Sequence, residues 1–129
     1  MTATGSCLCG GVSYEAEGPL REVIACHCRQ CRKTSGHHVA ATAVPNAALK
    51  LIEAGTLAWY RSSPMAERGF CGRCGGNLFW RRIGGETTSI FAGTLDAGAL
   101  APMRRHIFAQ YRGHYYDLPL EAEIFLEND

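Results

Sequence analysis

The 129-residue chain contains no run of about 18 consecutive apolar residues, which is the length that a transmembrane helix needs. Its first ten residues, MTATGSCLCG, have neither a basic segment nor an apolar core, so no secretory signal peptide is expected there. Thirteen basic and twelve acidic residues leave a net charge of only +1, which gives no support to a nucleic-acid or membrane-surface partner. These absences predict a cytoplasmic protein that binds neither nucleic acid nor membranes.

Helical periodicity is scarce as well, and the chain shows no internal repeat, low-complexity tract or linker. Turn signals separate short segments of alternating or β-rich composition, and these lie at residues 12–16, 39–44, 57–61, 78–83, 87–92 and 123–126. The best hairpin signal is Gly84-Gly85 between two such segments. One short helix is predicted over residues 29–35, closed at Gly36, and single turns are predicted at residues 45–49 and 96–100. The sequence therefore predicts one mainly β domain over residues 1–129, made of short antiparallel sheets with one or two short helical turns.

Seven cysteines are the most informative feature of the chain. In a reducing compartment, clustered cysteines are more often metal ligands than disulfides. The odd number of cysteines also favours metal binding, because pairing them in disulfides would leave one thiol unpaired. Metal binding is the interpretation that these counts favour.

Two of the cysteine motifs predict a closed structural zinc site. In Cys7-Leu8-Cys9 the two thiols share one face of an extended chain. The segment Cys71-Gly72-Arg73-Cys74-Gly75-Gly76 has the pattern of a zinc knuckle, in which glycines permit positive φ. Together Cys7, Cys9, Cys71 and Cys74 supply four thiolates for a tetrahedral zinc that joins the N-terminal strand to a distant loop. The alternative is a redox pair at Cys71 and Cys74, but such a pair usually opens a helix and nothing helical is predicted after Cys74.

The third motif, Cys26-His27-Cys28-Arg29-Gln30-Cys31, places three thiols within six residues. Three protein ligands with an open fourth position distinguish catalytic from structural zinc. Cys26, Cys28 and Cys31 are therefore predicted to hold a second zinc and to form the catalytic centre. Three alternatives remain: a histidine (His27, His37 or His38) completes a structural site, the cluster holds iron and sulfide, or the metal is labile.

Basic residues follow the third motif closely. Arg29, Arg32 and Lys33 would balance the negative charge of a thiolate-bound zinc, and they would suit a substrate that bears carboxylates. The alternative is that they form a solvated helix face.

The chain resembles the glutathione-dependent formaldehyde-activating enzyme family, to which the centromere protein V domain also belongs. The resemblance rests on residues 5–15 (GSCLCGGVSYE), 26–36 (CHCRQCRKTSG) and 69–75 (GFCGRCG), with later pieces at 93–96 and 106–108. It implies a tent of β-sheets pinned by zinc, with a closed site at Cys7, Cys9, Cys71 and Cys74 and a labile site at Cys26, Cys28 and Cys31. The chain departs from the family's usual pattern at His37-His38 and at Tyr115-Tyr116, where the family often has tryptophan.

The resemblance also implies an activity: the joining of glutathione and formaldehyde into S-hydroxymethylglutathione, classed as a carbon–sulfur lyase reaction. The expected cofactors are two zinc ions per chain with glutathione as co-substrate, and the expected partners are a small thiol and a small carbonyl compound. His27 and His38, with His37, are the candidate acid/base groups, while His106 and His114 are expected to be packed or exposed. Arg32 and Lys33, or Arg104 and Arg105, are candidates to bind the glutathione carboxylates. The competing hypothesis is a non-catalytic zinc module for protein interaction or thiol carriage.

Overall fold

The structure is a computed structural model, and it describes residues 1–97, 100 and 102–128. Within these residues the chain forms eleven strands and one α-helix. In chain order they are β1 (Thr2–Ser6), β2 (Ser13–Glu17), β3 (Ile24–Cys26), α1 (Arg29–Ser35), β4 (Val39–Pro45), β5 (Leu49–Glu53), β6 (Leu57–Ser63), β7 (Ala66–Cys71), β8 (Asn77–Arg82), β9 (Thr87–Phe91), β10 (Arg105–Ile107) and β11 (Glu123–Ile124). The prediction of a mainly β fold is confirmed. No helix among the described residues is long and apolar enough to cross a bilayer.

The chain divides into two compact units. The first comprises Met1–Arg21 and Thr42–Ala99, and the second comprises Glu22–Ala41 and Leu100–Asp129. The prediction of a single domain over residues 1–129 stays a prediction.

The first unit contains a small antiparallel sheet in the order β1-β2-β5. Strands β1 and β2 are antiparallel, and Gly5 lies opposite Tyr14 in their register. Alternation explains why β2 forms, because Tyr14 and Ala16 are buried while their neighbours are more exposed. The same unit contains residues 42–45 of β4, followed in sheet order by β9, β8, β7 and β6. The predicted hairpin is confirmed as β8 and β9, which pair Phe79 with Ile90, and Gly84 in its turn has a φ of +76°.

The core of the first unit consists of fully or almost fully buried side chains from both groups of strands. Its members are Cys7, Val12, Tyr14, Ala16, Val44, Cys71, Leu78, Phe79 and Ile90. The ring of Tyr14 meets Phe79 edge to face, with centroids 5.4 Å apart. Two of the predicted zinc ligands, Cys7 and Cys71, therefore belong to the hydrophobic core itself, so that the metal site and the apolar packing stabilise the same residues.

The second unit departs from the expected antiparallel pairing. Strand β10 runs parallel to both of its neighbours, pairing His106 with Ala25 of β3 and with Ile124 of β11. In contrast, β3 pairs antiparallel with residues 39–41 of β4. Parallel neighbours require a long connection between the strands, and a local sequence pattern carries no signal for such a pairing.

The helix prediction is confirmed at both ends. Cys28 is the N-cap of α1, and its side chain accepts a hydrogen bond from the backbone N–H of Cys31. Gly36 ends the helix with a φ of +82°, and its N–H bonds to the carbonyl of Arg32, which is the C-terminal geometry that glycine favours. A 3₁₀ turn over Asn46–Ala48 agrees with the turn predicted at residues 45–49. The turn predicted at residues 96–100 lies partly outside the described residues.

Candidate metal centres and a histidine network

The four cysteines of the predicted closed site come together in the first unit. The sulfurs of Cys7, Cys9, Cys71 and Cys74 all lie within 4.8 Å of one another. The Sγ atoms of Cys7 and Cys9 are 3.7 Å apart, and those of Cys9 and Cys71 are 3.6 Å apart. A tetrahedral zinc with Zn–S bonds of about 2.3 Å separates its sulfurs by about 3.8 Å. The donor set and its spacing therefore fit zinc.

The backbone conformation that brings Cys7 and Cys9 together differs from the one predicted from the sequence. The chain is not extended here, because β1 ends at Ser6 and the N–H of Gly10 bonds to the carbonyl of Cys7 at 3.2 Å. This tight turn, rather than alternation along a strand, brings the two thiols to one side. Leu8 at its tip is 94% exposed.

The second half of the site is the predicted knuckle. Cys71 ends β7, and the N–H of Gly75, whose φ is +78°, bonds to the carbonyl of Cys71 at 2.8 Å. The backbone N–H groups of Arg73 and Cys74 both donate to the Cys71 sulfur, at 3.3 and 3.4 Å. No helix follows Cys74, as the zinc interpretation of this motif requires.

Hydrogen-bond donors lower the pKa of two of the four thiols at this site and so favour their thiolate forms. The Thr56 hydroxyl, 3.2 Å from the Cys71 sulfur, and the backbone N–H of Cys74 lower the pKa of Cys71 to about 5. The backbone N–H of Gly11 and the Arg73 guanidinium, whose Nε is 3.3 Å from the sulfur, lower the pKa of Cys9. Burial raises the pKa of Cys7. Donors aimed at sulfur stabilise its negative charge, and a metal ligand must carry that charge.

The three cysteines of the middle motif come together in the second unit. Cys26 ends β3, Cys28 caps α1 and Cys31 lies in the helix, and their sulfurs lie within 4.8 Å of one another. Hydrogen bonding to Cys28 and Cys31, together with burial, raises the pKa of the Cys26 thiol. Three crowded sulfurs resist carrying three negative charges at once, and a divalent cation relieves that repulsion. The cluster therefore fits a metal ion as well. No disulfide joins any of the seven cysteines, all of which are described.

Histidine is absent from the ligand set of the middle cluster. Among the described residues, no other ligand atom from a histidine, cysteine or carboxylate joins these three sulfurs. Both ring nitrogens of His27 are engaged elsewhere: Nε2 lies 2.8 Å from Nδ1 of His106, and Nδ1 lies 2.8 Å from the Tyr116 hydroxyl. The Nδ1 atom of His37 bonds to the hydroxyl of Tyr115. The geometry therefore favours three protein ligands over a closed site completed by histidine.

The histidines form a network of their own in the second unit. His27 and His106 are 1% and 3% exposed, and the ring of His38 lies 4.7 Å from that of His27, centroid to centroid. Burial and the neighbouring histidines lower the pKa of both His27 and His38 to about 4, so both rings are neutral near pH 7. His106 and Tyr116 are members that the sequence interpretation missed. The sequence offered only a short motif at residues 106–108 and a tyrosine pair, and His27 lies 79 positions from His106 and 89 positions from Tyr116.

An open cavity of about 630 Å³ lies on the same unit. Its lining residues are Arg29, Arg32, Lys33, Gly36, Gln110, Tyr111, Arg112, Gly113, His114 and Tyr115. None of these lining residues is acidic. The Nε atom of Arg32 is buried and has no hydrogen-bond partner among the described residues. The cavity thus brings together the predicted Arg32 and Lys33 with Arg112, which sequence reasoning did not select, whereas Arg105 faces Glu22 and Glu123 instead.

Comparison with known proteins agrees with this architecture. A crystal structure of a Rhodobacter sphaeroides protein has a similar fold, with a TM-score of 0.63, 23% sequence identity, and coverage of 74% of this chain and 90% of that one. No match is found among the curated proteins. The profile of the glutathione-dependent formaldehyde-activating enzyme family matches residues 2–111. The chain belongs to that family.

Proposed function

We propose that this protein is a zinc-dependent enzyme of the carbon–sulfur lyase type that joins a thiol, glutathione, to formaldehyde or a related small carbonyl compound. The observation that carries the proposal is the cluster of Cys26, Cys28 and Cys31, in which three sulfurs gather without a fourth protein ligand among the described residues. Helix α1 carries Cys31 together with Arg29, Arg32 and Lys33 of the cavity lining, so one short element links the thiol cluster to the place where an anionic substrate would bind.

Cys26, Cys28 and Cys31 would hold the zinc at this centre, and the closed set would hold a structural zinc. When bound at the open centre, zinc lowers the pKa of an incoming thiol, so that it is a thiolate near neutral pH. The backbone N–H of Cys31 donates to the Cys28 sulfur at 3.3 Å and supports the charge of that ligand, and the basic residues of α1 support the negative charge of the whole centre.

The cavity supplies recognition for glutathione carboxylates. Arg32 and Lys33 on α1 face the same space as Arg112, and guanidinium groups bind carboxylates through paired, charge-assisted hydrogen bonds. The buried Nε of Arg32 gains a partner when a carboxylate enters. Because the lining contains no acidic side chain, nothing in it repels an anion.

The reaction requires that one proton move from the substrate sulfur to the substrate oxygen. A thiol loses its proton, the sulfur adds to the carbonyl carbon, and the developing alkoxide takes a proton up. A neutral imidazole performs both transfers in turn, first as base and then as acid. His38 fits this role better than His27, because His38 is only partly buried and both nitrogens of His27 are engaged within the protein.

The direct test is the rate of adduct formation from glutathione and formaldehyde with the purified, zinc-loaded protein, compared with the uncatalysed rate. The proposal expects a rate above background that is lost in Cys28→Ser. Serine is also a good N-cap, so this variant should remain folded. If the protein with zinc at both sites shows no rate above background, glutathione and formaldehyde are not its substrates. If a folded Cys28→Ser protein keeps full activity, the three-cysteine centre takes no part in the mechanism.

A further inference from the structure

The hydroxyl group of Tyr116 lies between two histidines. It is 2.8 Å from Nδ1 of His27 and 3.4 Å from Nδ1 of His38. Tyr116 is partly buried, and its burial raises the pKa of its hydroxyl, so the group keeps its proton and is able to both donate and accept. Both of these contacts are with histidine rings, so the Tyr116 hydroxyl is placed to act on a histidine.

We propose that Tyr116 is a positioning residue that holds His38 in the tautomer with its proton on Nδ1, so that Nε2 presents the lone pair that accepts the substrate proton. This inference rests on the proposed function, in which His38 is the acid/base group. Tyr116 acts through His38 and does not itself touch the reacting atoms.

The lengths of the two contacts favour one direction of donation along the network. A phenol has one proton to donate, and its 2.8 Å contact with Nδ1 of His27 is the shorter and stronger of the two. If that proton goes to His27 Nδ1, the tyrosine oxygen accepts from the Nδ1–H of His38 across the weaker, 3.4 Å contact. His27 then carries its proton on Nε2.

The far end of the network is consistent with this direction. His27 Nε2 lies 2.8 Å from His106 Nδ1, so the Nε2–H of His27 donates and the His106 nitrogen accepts. Each contact then has one donor and one acceptor, and each ring is neutral. The arrangement uses the same logic as a catalytic triad, where a partner hydrogen-bonded to one ring nitrogen fixes which nitrogen performs the chemistry.

His38 alone accounts for both proton transfers of the reaction. Its Nε2 takes the thiol proton before the sulfur adds to the carbonyl carbon, which leaves an imidazolium with protons on both nitrogens. The same Nε2–H then passes to the alkoxide oxygen as the carbonyl π bond becomes a C–O single bond. No oxidant, reductant or further co-reactant is needed.

The tautomer is measured directly by ¹⁵N nuclear magnetic resonance of the histidine rings in the zinc-loaded protein near neutral pH. The expected result is an Nδ1–H tautomer for His38 in the wild type, and a shift toward the Nε2–H form in Tyr116→Phe. Tyr115→Phe is the matched control, because the Tyr115 hydroxyl bonds to His37, and it should leave the His38 tautomer unchanged. An Nε2–H tautomer of His38 in the wild type overturns the proposal, as does an unchanged tautomer in a folded Tyr116→Phe protein. If that variant does not fold, the wild-type tautomer decides alone.

Kinetics supply the second readout. Tyr116→Phe should lower kcat by about tenfold, a part of what a general base contributes, and leave the KM for glutathione unchanged because the cavity is intact. Tyr60→Phe, at a 59% exposed residue of the first unit, should change neither constant. A raised KM with kcat unchanged contradicts the positioning role. A wild type that shows no rate above background ends the proposed function, and the tautomer measurement still decides whether Tyr116 orients His38.

Discussion

The Tyr116 hydroxyl lies 2.8 Å from Nδ1 of His27, although the two residues are 89 positions apart in the chain. His27 stands between two cysteines of the middle motif, and its backbone N–H bonds to the carbonyl of Ile107 on β10. The C-terminal segment therefore supplies both the ring partners and the backbone partner of this residue. The surroundings of the thiol cluster therefore depend on residues that lie far in sequence from its cysteine motif.

Arg32 should contribute to binding of the thiol substrate. Its Nε is buried without a partner among the described residues and lies at a cavity with a cationic lining. Arg32→Met keeps most of the apolar stem and removes the charge, so we expect the KM for glutathione to rise about tenfold, as for the loss of one charge-assisted hydrogen bond. Arg82→Met, at an exposed residue that ends β8 in the first unit, changes the net charge equally and should leave the KM unaltered. Equal effects of the two variants would assign the change to net charge and not to the cavity.

Gly5 should be intolerant of a side chain. A Cβ built there would overlap the Tyr14 hydroxyl and ring and the backbone carbonyl of Thr94. Tyr14 is 1% exposed and packs on Phe79, so it has no room to move, and overpacking of this kind costs about 1–3 kcal/mol or more. Gly5→Ala should therefore lower the free energy of unfolding by that amount in urea denaturation of the zinc-loaded protein.

The matched control for this prediction is Gly55→Ala. Nothing lies within 4 Å of a Cβ added at Gly55, and surface changes of this kind are usually within about 0.5 kcal/mol. Equal stability of Gly5→Ala and Gly55→Ala would contradict the prediction that a side chain at Gly5 is too crowded against Tyr14.

Sequence spacing was sufficient to predict the cysteine groups, because each half-site is local. A turn or a helix start places two or three sulfurs together within six residues, and the only long-range step is the pairing of Cys7 and Cys9 with the knuckle. The hairpin β8–β9 and helix α1 were likewise predictable, since Gly84 and Gly36 mark their ends. These are features in which the residues that cause the structure are neighbours in sequence.

The missed features depend on contacts between distant segments. Strand β10 has only three residues, Arg105–Ile107, too few for a periodic signal, and its parallel pairing with β3 is what brings His106 to His27. His106 is buried, in agreement with the prediction that it is packed or exposed, but its contact with His27 was not predicted. Strand β3 also has only three residues, too few for a periodic signal. Strand β7 was missed because its buried residues do not alternate strictly with the more exposed ones.

Stability should fall in acid because of His38. Burial and nearby His37 and His106 lower the pKa of His38 in the folded state from 6.5 to about 4. Below pH 6.5 the unfolded chain binds a proton that the folded chain does not bind until about pH 4, so the free energy of unfolding decreases as pH falls through this window. His38→Asn should show a smaller decrease over the same range in urea denaturation. Acid also protonates the cysteines in both proteins, so the difference between the two curves reports His38 together with its effect on the pKa of His27. Parallel curves would contradict the prediction.

Chelation should separate the two cysteine groups. The four-thiol site is tied into the core through Cys7 and Cys71, which are 4% and 0% exposed, and structural zinc of this type contributes about 10–16 kcal/mol of apparent binding free energy. The three-thiol site has one protein ligand fewer, so a mild chelator should remove one zinc per chain while the circular dichroism spectrum persists. Glutathione added to the cobalt-substituted protein should change the absorption of that more labile metal alone.

Cys28→Ser should bind a single zinc and stay folded, whereas Cys74→Ser should lose stability throughout the first unit. A protein that releases neither metal before it unfolds has two closed sites, and it would then be the non-catalytic zinc module that competes with the enzyme hypothesis.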